Sequence, residues 1–148
     1  MMKLTPFPTW LDYSDLMRDG VGGYAKGPYV RMREKYKDRD IGIHRHEYLH
    51  VTQYYVVLMT WLLACGVGMH LIASPYWVLG FALMPVGLWL HPVLYSLIPA
   101  YRFASEVMAY REQAKWYADD RRLKFAGFIS SSYGLNVTID EAYEALCK

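Results

Sequence analysis

Residues 54–100, YYVVLMTWLLACGVGMHLIASPYWVLGFALMPVGLWLHPVLYSLIPA, contain no Asp, Glu, Lys or Arg, although both flanks are dense in them. An α-helix rises 1.5 Å per residue and a bilayer core is about 30 Å thick, so roughly 20 apolar residues make one crossing. The stretch is long enough for two, Tyr54 to Ala73 and Tyr76 to Ile98, with Ser74 and Pro75 breaking the run between them. It predicts a long apolar helical hairpin in a mainly α fold. Tyr54 and Tyr55, Tyr76 and Trp77, and Tyr95 and Tyr101 stand near the segment ends, where rings anchor at lipid headgroups. Arg39 and Arg45 precede the hairpin, Arg102 and Arg111 follow it, and its tip has no basic residue, so the positive-inside rule predicts a membrane-associated chain with both termini in the cytoplasm. An apolar run shows only that a segment avoids water, and a hairpin covered by protein in a soluble assembly or virion is the alternative. Pro85, Pro92 and Pro99, with Gly80 and Gly87, are expected to kink or interrupt the second helix, which spanning helices tolerate when neighbours satisfy the freed carbonyls.

Just before the hairpin, His46-Glu47-Tyr48-Leu49-His50 reads HExxH. From Ile41 onward the sequence favours helix, and this helix is expected to run directly into the first apolar segment. Residues four apart on a helix project from one face, so two imidazoles can bind one ion while the glutamate beside the first reaches a water on it. Two histidines leave a catalytic zinc site one protein ligand short. His44 lies two residues before His46, off the ligand face. His70 and His91 lie inside the apolar run, where a lone histidine is more often hydrogen-bonded in a core. Glu106, on the helix after the hairpin, is the better third ligand, because a hairpin returns the chain to the level it left. The predicted metal set is His46, His50 and Glu106, with Zn2+ as the ion and Glu47 as the base.

At these residues the chain resembles the gluzincin metallopeptidases, in which HExxH on one helix is joined by a glutamate from a later helix. More narrowly, HExxH, two hydrophobic helices and then Glu106-Val107-Met108-Ala109 looks like the membrane-bound zinc proteases related to the CAAX prenyl endopeptidase and the bacterial heat-shock membrane protease. The resemblance covers residues 29–118. Small phage and bacterial proteins with a HEYxHVxQ-like stretch are also similar to His46–Gln53, HEYLHVTQ. The resemblance implies a minimal zincin-like helical domain and a protein or peptide substrate. It further implies that zinc polarises a peptide carbonyl while Glu47 takes the proton of the attacking water. Where that family often carries an aspartate after the alanine, supporting a ligand histidine, this chain has Tyr110. One turn from Glu106, Tyr110 is a candidate donor to the oxyanion, with simple packing as its alternative role. Gln53 and Gln113 are candidates for orienting the ligands. A non-catalytic structural or assembly protein, such as a viral particle component retaining the fold, is the second functional class.

The remainder bounds these readings. A chain of 148 residues suits a single domain, with the hairpin inserted between the two metal-ligand helices. Sixteen basic and fourteen acidic residues nearly cancel and form no long block, which argues against a nucleic-acid partner. Cys65 and Cys147 have no paired spacing, as in a reducing compartment. The start, MMKLTPFPTWLDYSDLMRDG, lacks a signal-peptide pattern and predicts no cleavage. Residues 1–27 read as loop with a short helix around Tyr13 to Arg18. Tyr29 to Arg33 alternates as a short half-exposed strand whose edge could hold an extended substrate. Lys35 to Asp40 reads as a charged turn. Phe103 to Ala118 reads as helix, and 119–122 as a bend. Another helix runs through Ile129 to a C-cap at Tyr133 and Gly134, and a Thr138/Glu141 capping box opens a last helix to about Cys147.

Overall fold

A computed structural model describes residues 6–71 and 77–148. In chain order the elements are strands β1 (Trp10–Tyr13), β2 (Gly23–Lys26) and β3 (Tyr29–Met32), then helices α1 (Ile41–Leu71), α2 (Trp77–Leu83), α3 (Gly87–Leu97), α4 (Pro99–Ala114), α5 (Arg122–Ser132) and α6 (Ile139–Cys147). The fold is mainly α, as expected, and carries a small N-terminal sheet where a single short strand was expected.

Helix α1 runs unbroken through the HExxH residues into the apolar segment, about 46 Å at the rise of an α-helix. Asp40 opens it: its Oδ1 accepts the Ile43 N–H at 3.1 Å, satisfying a backbone donor that the first turn leaves orphaned. The returning limb is interrupted where the prolines require it. A 3-10 turn at Met84–Val86, built around Pro85, separates α2 from α3, and Pro92 lies inside α3. The break placed at Ser74 and Pro75 lies outside the described residues, as does Tyr76. Pro99 then occupies the first turn of α4, where its missing N–H costs nothing and its fixed φ suits a helix. This is why α4 begins at Pro99 and not at Phe103. It ends at Ala114 instead of Ala118 because the chain tightens into i→i+3 bonds over Lys115, Trp116 and Tyr117. The last two helices follow the reading closely, with Gly134 at φ 61° after the α5 C-cap and a complete Thr138/Glu141 capping box on α6.

The N-terminal region differs from expectation. Tyr13 to Arg18 is not helical: Tyr13 ends β1, and the following residues are irregular, with bends at Asp15 and Met17. The glycine-rich stretch read as loop contains β2. Strand order is β1-β3-β2, with β1 parallel and β2 antiparallel to β3. The predicted strand therefore exists, but it is the central one; its backbone is paired on both sides, and the free edge beside the helices belongs to β2. Alternation along β3 sends Val30 and Met32 inward onto α1, where they and Val51 are fully buried. Each such aliphatic contributes about 1.5–3 kcal/mol. A second core joins α4, α5 and α6 through Val107, Phe125, Ile129 and Leu146.

Neither core includes the far part of the hairpin. Of the most apolar window in α1 only 6% is buried, and in the helical run Val78–Leu97 only 11%. Both are long and apolar enough to cross a membrane, and Met59, Leu63, Val67, Phe81 and Trp89 face outward. A helix apolar all round in a water-soluble chain is normally buried. This one is not covered by the described residues. The aromatic residues at the near end do not point outward: Tyr55 donates to the Pro8 carbonyl, Tyr54 is buried, and Tyr95 and Tyr101 bond side chains inside the protein.

Candidate metal centre

His46 and His50 project from the same face of α1, one turn apart, with their Nε2 atoms 3.3 Å from each other. The chain departs along α1, returns through α2 and α3, and packs α4 against the start of α1. That return brings Glu106 to the histidines: Oε2 lies 3.5 Å from His46 Nε2, and Oε1 lies 3.3 Å from His50 Nε2. Donor atoms bonded at about 2.0–2.1 Å to one tetrahedral ion stand about 3.3 Å apart, so these separations are those of ligands around a common point. His46, His50 and Glu106 form a group that can hold a metal ion. Glu106 is only 1% exposed, and its Oε2 has no hydrogen-bond partner among the described residues. A buried carboxylate oxygen left unpaired is costly, and a cation at the shared point offsets that cost.

The electrostatics favour positive charge there. Burial on its own lowers the His50 imidazole, but the Glu106 carboxylate overrides it and pushes His50 to about 9. Burial likewise works to raise Glu106, and the imidazoles of His50 and His46 beside it outweigh this, holding the carboxyl well below the usual range. Without an ion a proton supplies the cation, and metal and proton compete for the same nitrogens. Glu47, one residue from His46, is also buried, and that burial raises its carboxyl while the imidazoles partly offset the shift.

His50 is oriented from behind. Its Nδ1 lies 3.0 Å from Gln53 Oε1, which also accepts from Ser105 Oγ at 2.6 Å, while Gln53 Nε2 donates to the Ser105 carbonyl at 3.2 Å. An acceptor at Nδ1 favours the tautomer that leaves Nε2 free for an ion. Gln53, one of the two glutamines singled out as candidates, therefore lies directly behind His50. Ser105, beside Glu106 in sequence, carried no signal of its own. Gln113 donates to the Tyr117 hydroxyl at 3.0 Å and orients no ligand. His46 lacks such support: its Nδ1 has no hydrogen-bond partner among the described residues. Tyr110 packs edge-on against it, ring centroids 4.3 Å apart, and its hydroxyl pairs with that of Tyr133 at 2.9 Å. Tyr110 is therefore beside the ligands, but its hydroxyl is engaged away from them.

Among the other histidines, His44 bridges the Asp40 carbonyl and the Tyr13 hydroxyl, tying β1 to α1 away from the ligand face. His70 is exposed and about 30 Å along α1 from His50. His91 bonds Tyr101 through Nδ1 at 2.7 Å.

The group opens into a cavity of about 980 Å³, walled by His46, Glu47, His50 and Glu106, by β2, and by His91 and Tyr95 from the hairpin. Glu47 meets this cavity beside β2, close to Gly23. Sequence reasoning missed Gly23, Ser105 and Tyr95, none of which belongs to a recognisable spacing. The chain matches no family model, no curated protein and no solved structure, so what the site can do is argued from its own geometry.

Proposed function

We propose that this protein is a zinc-dependent metallopeptidase with Glu47 as general base. The observation that carries this reading is the convergence of a HExxH pair and a distant carboxylate, with a further buried glutamate beside them, on a cavity large enough to admit a peptide segment. Held by His46, His50 and Glu106, zinc would polarise a peptide carbonyl and acidify the attacking water. Glu47 takes the proton from that water as its oxygen bonds the carbonyl carbon, then delivers it to the amine as the C–N bond breaks. The free edge of β2, which lines the cavity, offers unpaired backbone groups to an extended substrate. This takes over the role that the sequence alone suggested for β3.

We further infer that lipid covers the hairpin, with both termini cytoplasmic. Its outward apolar face supports this, and so do Arg39, Arg45, Arg102 and Arg111 at its base. The same face supports the second reading, a structural or assembly component whose hairpin is covered by protein. Metal analysis of purified protein with Glu47→Gln separates the two. A peptidase retains zinc in the variant and loses hydrolysis of an unfolded protein substrate by 10²-fold or more. A scaffold hydrolyses nothing in either form. A protein that takes up no zinc sinks the proposal.

A further inference from the structure

The hairpin reaches the metal-binding group through Tyr95, on α3. Its hydroxyl donates to Glu106 Oε1, and its ring stands edge-on to His50 with centroids 6.0 Å apart. The residue is itself held. Arg102 Nε donates to the Tyr95 carbonyl at 2.8 Å, and the same guanidinium donates to the carbonyls of Ser96 at 2.5 Å and Tyr133 at 2.8 Å. Carbonyls in the last turn of a helix have no partner within it. Arg102 captures two of these on α3 and binds them to the residue that closes α5. The position of the Tyr95 ring is therefore tied to α4, which carries Glu106.

The two oxygens of Glu106 are consequently unlike. Oε1 accepts the phenol, and Oε2 has no hydrogen-bond partner among the described residues. We propose that Tyr95 is a positioning residue of the metal centre: its hydroxyl donates to Glu106 Oε1 and holds the carboxylate in the orientation that presents it, with Oε2 free of any hydrogen bond among the described residues, to the ion. The inference rests on the zinc reading above and adds to it that the hairpin is part of the site as well as an anchor. A carboxylate held by a donor keeps one orientation; one released from it can rotate. Partners that orient metal ligands in this way typically alter affinity ten- to hundredfold when removed.

The test uses the full-length protein and Tyr95→Phe, which keeps the ring and removes the hydroxyl. Tyr101→Phe, a hairpin hydroxyl that bonds His91 and not Glu106, is the comparison. Zinc affinity is read by competition with a chromophoric chelator, and coordination by the visible spectrum of the cobalt-substituted protein. The expected result is a ten- to hundredfold weaker zinc affinity and an altered cobalt spectrum in Tyr95→Phe, as the carboxylate loses the donor that fixes its orientation toward the ion. Tyr101→Phe should match the wild type. Thermal unfolding of the metal-free proteins shows whether Tyr95→Phe is folded; if it is not, the spectrum of Tyr95→His, which can still offer a donor, decides the point by matching or departing from that of the wild type. Wild-type affinity and spectrum in Tyr95→Phe overturn the positioning role while leaving the zinc reading intact. A wild-type protein that binds neither metal overturns both.

Discussion

Gly23, on the edge strand, lies directly against Glu47: a β-carbon on Gly23 would come 2.9 Å from Glu47 Oε1 and 3.2 Å from its Cδ. The first of these is closer than such atoms approach, so the absence of a side chain at one position permits the present placement of a buried carboxylate at another. The sheet thereby leaves room for the proposed base to sit here. In Gly23→Ala the carboxylate must give way by some tenths of an ångström, and peptide hydrolysis should fall, up to the order of a hundredfold that a misplacement of about 1 Å at a reacting group costs. Zinc content should be unchanged, since no ligand is touched. Peptide hydrolysis with metal analysis on the same preparation checks this; full activity would show that Glu47 does not act from this position.

Zinc should stabilise the folded chain, because the three donors converge only in the folded state. Free ion at a hundred times its dissociation constant adds about 2.7 kcal/mol. His50→Ala and Glu106→Ala should abolish the increase in thermal midpoint that zinc produces in the wild type. Differential scanning calorimetry with and without a chelator reads the effect. A zinc-dependent increase that survives in both variants would place the ion elsewhere.

Gln53→Ala removes the acceptor at His50 Nδ1 and leaves Ser105 Oγ, 3.3 Å from that nitrogen, as the nearest substitute. Zinc affinity should fall ten- to hundredfold, whereas Gln113→Ala, whose partner is Tyr117, should leave it unchanged. Equal effects in the two variants would show that general destabilisation, and not orientation of the ligand, is being measured.

Tyr110→Phe separates packing from chemistry. The hydroxyl pairs with Tyr133, so its removal should cost about 0.5–1.5 kcal/mol of stability, with turnover changed by less than about tenfold because the ring against His46 is kept. A loss of turnover nearing a hundredfold, at unchanged zinc affinity, would instead mean that the hydroxyl leaves Tyr133 to bind the oxyanion during the reaction.

Much of the candidate site is legible along the chain because its chemistry depends on local periodicity. His46 and His50 must share a face if residues 41 onward are helical, and they do. Glu106 is legible for a coarser reason, since an uncharged stretch of this length has to fold back and return. The sheet was largely hidden. β1 and β2 are four residues each, set among glycines and prolines, and what makes them strands is pairing with β3, for β2 across the two residues Gly27 and Pro28 and for β1 in parallel from well before it in the chain, so β3 could be read as a strand but not as the central one.

The order of residues alone determined that two imidazoles and a glutamate would stand together on one helix and that an apolar hairpin would follow them, because helical repeat and hydropathy are properties of neighbouring residues. Only the tertiary structure decided which oxygen of Glu106 is left unpaired, which edge borders the cavity and that Tyr95 turns inward. Each depends on how one element is rotated against another. The 3-10 turn at Pro85, the start of α4 at Pro99 and the Arg102 clamp set those rotations through contacts between residues far apart in the chain.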